Sequence, residues 1–181
     1  EGSLTYAVQE KNKYPYLVDD EGNWSVRKDV RYVRVMGRGT GAMRQFNNEW
    51  MTIGSGKIGP EYGIGHYVGH ATDAPVMILK SCIGNRSLGW DLLPPGSERY
   101  EVEETDRKTG ETKTFTYAGY KDSPAKWEKG TEPQKIKWYA GMQYDGDVAN
   151  AKTVLAELDK FYPDANGYEV AGFFWWQGDK D

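Results

Sequence analysis

Phe173-Phe174-Trp175-Trp176 is an unbroken apolar, aromatic run that gives way at once to Gln177-Gly178-Asp179-Lys180-Asp181. A run without polar alternation predicts a strand buried on both faces, over Val170 to Trp176. Such burial marks a parallel sheet covered by helices. The abrupt change to polar residues predicts a loop at the carboxyl end of that strand, where open α/β sheets bind ligands. A strand and loop of this kind need further chain to cover them, so the polypeptide is expected to be a piece of something larger.

The remaining pattern fits the same architecture. Pro75-Val76-Met77-Ile78-Leu79-Lys80 is a second continuous apolar run, expected as a buried parallel strand, followed by a small polar loop from Ser81 to Ser87. Ahead of it, Gly59-Pro60-Glu61 predicts a helix start, with Ile64, Tyr67, Val68 and Ala71 on one apolar face and Asp73 and Pro75 ending it. Val30 to Met36 and Glu49 to Ile53 read as earlier strands. Asp145 is expected to cap a helix carrying Val148, Ala151, Leu155, Leu158 and Phe161 on its inner face. Residues 91–140 are charged and turn-rich and read as an insertion. Within it Tyr100-Glu101-Val102 pairs with Thr114-Phe115-Thr116-Tyr117 around Arg107-Lys108-Thr109-Gly110. The whole of 1–181 is expected to be a single α/β domain. Two parallel strands in one sheet would bring Ser81–Ser87 and Gln177–Asp181 to the same crevice.

Composition narrows the function classes. A net charge of -4 argues against a nucleic-acid partner, which needs a basic stripe. No apolar run approaches the ~20 residues of a membrane-spanning helix. Cys82 is the single cysteine, so neither an internal disulfide nor a thiolate metal site forms. Glu1 to Thr5 show no secretion signal. His66 and His70 have the i, i+4 spacing of zinc-binding helices but lack the glutamate that follows the first histidine, so they read as surface residues. Arg38-Gly39-Thr40-Gly41 is a glycine-rich, phosphate-friendly loop without a Walker lysine. The acids from Glu98 to Asp106 read as a solvated hairpin face. No serine stands in a nucleophile elbow, and neither histidine stands on a strand-end loop, so a complete Ser-His-acid set is not legible.

Three segments resemble conserved blocks of one family. Ile58-Gly59-Pro60-Glu61-Tyr62-Gly63, Val76 to Leu88 with Ser81-Cys82-Ile83-Gly84-Asn85-Arg86-Ser87, and Trp175-Trp176-Gln177-Gly178-Asp179-Lys180-Asp181 are similar, in order and spacing, to the sialate O-acetylesterase-like carbohydrate esterases of the SGNH/GDSL hydrolase superfamily. The resemblance runs from about Val30 to the end. It implies a flavodoxin-like three-layer α/β/α sandwich with a parallel sheet, here incomplete, and cofactor-independent, metal-independent removal of acetyl esters from sugars. It also implies secretion or a periplasmic location. By resemblance Gly84 and Gln177 line the oxyanion hole, and Glu61, Asn85, Arg86, Asp179 and Asp181 line the substrate site. The family's Gly-Gln-Ser-Asn nucleophile block and Asp-x-x-His base block are not in the sequence, and Ile83 and Asn85 replace its usual Trp and Gly. The chain alone is therefore expected to be inactive. A different class stays open: a non-catalytic carbohydrate-binding module stacking sugars on Trp24, Trp50, Trp90, Trp127 and Trp138.

Overall fold

The computed structural model describes residues 2–54, 58–178 and 180. The chain divides into two compact units, one formed by Glu1–Arg34 and Gln45–Lys80 and the other by Val35–Arg44 and Ser81–Asp181. Its helices and strands, in chain order, are α1 (Leu4–Gln9), β1 (Arg27–Met36), β2 (Arg44–Met51), α2 (Glu61–Ala71), β3 (Val76–Ser81), β4 (Tyr100–Thr105), β5 (Thr112–Tyr117), β6 (Lys126–Glu128) and α3 (Met142–Ala156). The strands form two three-stranded sheets, ordered β2-β1-β3 and β4-β5-β6.

This corrects the expected flavodoxin-like parallel sandwich. The second sheet is antiparallel throughout and built entirely within the segment read as an insertion. Val170 to Trp176 is not a strand at all. It has no regular secondary structure, and Phe173 and Trp176 are 81% and 84% exposed. A continuous apolar run becomes a strand only when a neighbouring edge takes its backbone hydrogen bonds, and no such edge meets it among the described residues.

In the first unit β1 is the central strand, with Val30, Tyr32 and Val33 all buried, so both of its faces are covered. Val30, Tyr32 and Met51 form the core, packed by Tyr62, Val76 and Ile78. β3 lies at the sheet's edge and is half-buried along its length, not fully buried as its apolar run suggested. The helix expected after Pro60 is present, but its inward face is different. Glu61 and Gly65 are its buried residues, while Tyr67 is 65% exposed. The reason is close approach. A Cβ on Gly65 would stand 2.4 Å from the Met51 sulfur, and one on Gly69 would stand 2.5 Å from Val30 Cγ2. Two glycines four apart let the helix backbone settle on β1 and β2, and this rolls the larger side chains outward.

In the second unit the predicted hairpin is present, with Tyr100 opposite Tyr117 and Val102 opposite Phe115. β6 adds a third strand that the sequence reading missed. Beyond the sheet, backbone hydrogen bonds close the segment on itself: Tyr120 N to Ser97 O, Lys121 N to Ala140 O, and Ala140 N to Asp122 O. α3 begins earlier than expected, capped by Gly141 at φ 87°, a left-handed conformation suited to glycine. Its buried positions are Gln143, Gly146, Asn150 and Val154, not the face through Val148, Ala151 and Leu155. The Gln143 carboxamide explains the rotation, since it receives Gly39 N–H at 2.8 Å and donates to Gly37 O at 2.9 Å. Gly146 then allows contact, because a Cβ there would lie 1.8 Å from Gly39 O.

Candidate functional site

The loop after β3 has an ordered core. Asp91, 3% exposed, accepts hydrogen bonds from Ser87 N at 2.9 Å, Ser87 Oγ at 3.3 Å and Lys180 Nζ at 3.3 Å. Its backbone carbonyl receives Gln143 N–H at 3.0 Å, which ties the loop to the first turn of α3. A buried carboxylate is tolerated when donors meet it, and here all three reach Oδ2. Asp91 therefore shapes the Ser81–Leu88 segment. Only its place four residues after Ser87 hints at this in the sequence.

Around that anchor lie several predicted site residues. Gly84 is open, with no atom within 4 Å of where a Cβ would project. Asn85 holds φ 59°, the left-handed region that Asn tolerates. Gln177 Nε2 donates to Arg86 O at 3.1 Å. The loop after β3 and the polar residue that ends the aromatic run thus meet, although no sheet edge brings them together. Asp179 and Asp181 lie outside the described residues. Glu61 sits in the first unit, where its Oε1 accepts Lys80 Nζ at 2.8 Å and Tyr32 Oη at 3.1 Å. Burial pushes the Glu61 carboxyl up. Lys80, the glutamate's own N–H and the Tyr32 hydroxyl outweigh that and hold it below the usual range. The same environment drives the Tyr32 hydroxyl up, through burial first and the Glu61 charge second. Gly59 leaves room for this carboxylate, since a Cβ there would stand 2.2 Å from Glu61 Oε2.

Asp147 is the titratable group that the sequence did not single out. Burial raises its carboxyl to about 6, against the opposing pull of Gln143, Ser81 and Arg86. Gln143 Nε2 donates to its Oδ1 at 3.1 Å, and Ser81 Oγ donates to its backbone carbonyl at 2.8 Å.

The histidines belong to the first unit. His66 is not a simple surface residue: its Nδ1 lies 3.0 Å from Arg27 Nη1, and its ring stacks on Tyr16 at 3.9 Å. A guanidinium only donates, so Nδ1 accepts and the imidazole is neutral with its proton on Nε2. Burial, then Arg27 and His70, lower its pKa against the opposing charge of Asp29. The adjoining cavity, lined by Tyr16, Ser25, Arg27, Thr52, Tyr62 and His66, encloses about 20 Å³, which is room for about one water. Among the described residues no hydroxyl is hydrogen-bonded to either imidazole, and no cluster of three metal-ligating side chains occurs.

The tryptophans offered as sugar platforms are half-buried. Guanidiniums cover three of them: Arg31 lies 5.1 Å from the Trp50 ring, Arg99 5.2 Å from Trp127, and Arg86 5.0 Å from Trp138. A ring face already occupied by a cation is a poor surface for a sugar. Among the described residues no helix is long and apolar enough to cross a membrane. No family model, curated protein or solved structure matches the chain.

Proposed function

We propose that the chain carries the oxyanion-side rim of a serine-type carbohydrate O-acetylesterase. Gly84 and Gln177 would donate to the developing negative oxygen as an acetyl ester is attacked. The observation that supports this most directly is the 3.1 Å hydrogen bond from Gln177 Nε2 to Arg86 O. It puts a carboxamide on the loop that carries Gly84, where no atom lies within 4 Å of the position a Cβ would take. Hydrogen-bond donors fixed before reaction stabilise an oxyanion without reorganising, and losing one costs on the order of 10²–10³ in kcat. The reading requires a serine nucleophile and a histidine base from polypeptide outside these 181 residues. On this reading the ligand is an acetylated sugar, and export from the cytoplasm follows from the resemblance alone.

The test compares two proteins on an acetylated sugar and on p-nitrophenyl acetate. The 181-residue chain should show no turnover above buffer. The product of the extended reading frame should hydrolyse both, and Gln177→Ala in it should lower kcat at least about 10²-fold with KM little changed. Turnover by the short chain, or full activity of the variant, refutes the assignment. Sugar binding by the extended product without ester cleavage would favour the binding-module reading.

A further inference from the structure

Asp145-Gly146 and Asn166-Gly167 are the places in the chain where glycine follows an aspartate or an asparagine. Both have the local chemistry for cyclisation, in which the glycine nitrogen attacks the carbonyl carbon of the preceding side chain. Glycine favours this because no Cβ shields its nitrogen and its backbone reaches dihedrals closed to other residues. Their surroundings separate the two pairs. Asp145-Gly146 lies inside α3, which fixes its dihedrals, and Gly146 is buried. The Asp145 oxygens accept Tyr120 Oη at 2.6 Å and Tyr139 Oη at 2.8 Å.

Asn166-Gly167 has none of these restraints. It lies outside every helix and strand, and all of residues 163–176 are exposed. The last backbone hydrogen bond ahead of it runs from Ala165 N to Tyr162 O at 3.1 Å. Among the described residues, 166–176 make no backbone hydrogen bond. No atom lies within 4 Å of the position a Cβ would take at Gly167.

We propose that Asn166 is a site of spontaneous deamidation. Solvent base takes the Gly167 N–H proton as that nitrogen bonds to Asn166 Cγ. The Cγ–Nδ2 bond breaks and ammonia leaves, closing a five-membered succinimide. Water then opens the ring at Cγ to give aspartate, or at the Asn166 main-chain carbonyl carbon to give isoaspartate. One water is consumed and one ammonia released, with no change of oxidation state. Either product adds a negative charge to a chain whose net charge is -4, beside the exposed Tyr168 and the aromatic run beyond it. Isoaspartate also routes the main chain through one extra carbon. The inference stands independently of the esterase reading.

The test incubates the 181-residue chain in mildly alkaline buffer and follows aspartate and isoaspartate at each position by tandem mass spectrometry. Asn166 should convert at least about tenfold faster than any other asparagine, and isoaspartate should stay absent from Asp145. Gly167 lies outside the left-handed region, so alanine fits there without strain. Gly167→Ala should slow conversion about tenfold, because its methyl group shields the attacking nitrogen and narrows the accessible dihedrals. The same incubation in guanidinium chloride separates local chemistry from the fold. Unfolding should leave the Asn166 rate within about twofold and let isoaspartate form at Asp145. An Asn166 that converts no faster than the other asparagines, or as much isoaspartate at Asp145 as at Asn166 in the folded chain, overturns the assignment. So does a Gly167→Ala rate within about twofold of the unmodified chain, or an Asn166 rate that rises about tenfold on unfolding.

Discussion

Gln143→Ala should destabilise the second unit by about 4 kcal/mol, and the origin of that figure can be traced atom by atom. Gln143 is fully buried, and its carboxamide satisfies Gly39 N–H at 2.8 Å and Gly37 O at 2.9 Å while reaching Asp147 Oδ1 at 3.1 Å. Removing it strands two buried backbone groups, each costing about 1–3 kcal/mol. It also removes one buried methylene, at roughly 0.8 kcal/mol. The lower half of that range applies if water enters the space left behind. With ~2–4 °C of melting temperature per kcal/mol at this chain length, the midpoint should fall by on the order of 10 °C. Gln143→Met separates the two contributions, because it fills the volume and supplies no hydrogen bond, so it should still cost about 2–4 kcal/mol. The assay is thermal melting followed by circular dichroism, with amide hydrogen exchange at Gly39 as the local readout. Exchange there should accelerate in both variants before the rest of the unit opens. A Met variant within about 0.5 kcal/mol of the unmodified chain, with Gly39 still protected, would show that the carboxamide does not hold this loop.

Two groups should give the chain opposite responses to pH. Asp147 is raised to about 6, so its protonated form is favoured by folding. Its contribution is fully present below the ordinary aspartate range and is lost as pH rises through about 6, and Asp147→Asn should flatten that decline in a pH-dependent melt. His66 is shifted the other way, so its contribution is present above the ordinary imidazole range and is lost as pH falls through its lowered folded value. NMR titration of its ring should give a midpoint below about 6.5, and Arg27→Met should move that midpoint upward; no movement would remove Arg27 as a cause. The exposed aromatic run should drive self-association. Phe173→Asp with Trp176→Lys should lower light scattering at equal protein concentration, and an unmodified chain that stays monomeric across concentrations counts against the idea.

Legibility differed from element to element for physical reasons. The hairpin of β4 and β5 was readable because its register depends on local turn chemistry and cross-strand pairs a few residues apart. α2 was readable as a helix, but its buried face was not. Its apolar side chains suggested one stripe, while the glycines at 65 and 69 chose another by permitting closer approach. α3 was misjudged in the same way, because Gln143 and Asn150 look like surface residues until Gly37 and Gly39 supply the partners for a buried carboxamide. Asp91 offered only its spacing from Ser87, and Asp147 carried no local signal, since its burial depends on partners distant in sequence.

The amino-acid sequence by itself determined some local elements: the helix that follows Pro60 and the turn that closes the hairpin. Tertiary structure alone decided which faces are inside, which acids are buried, and that Phe173 to Trp176 stays unpaired. A strand is not a property of its own residues. It exists when a second backbone accepts its hydrogen bonds, and apolar composition cannot supply that second backbone.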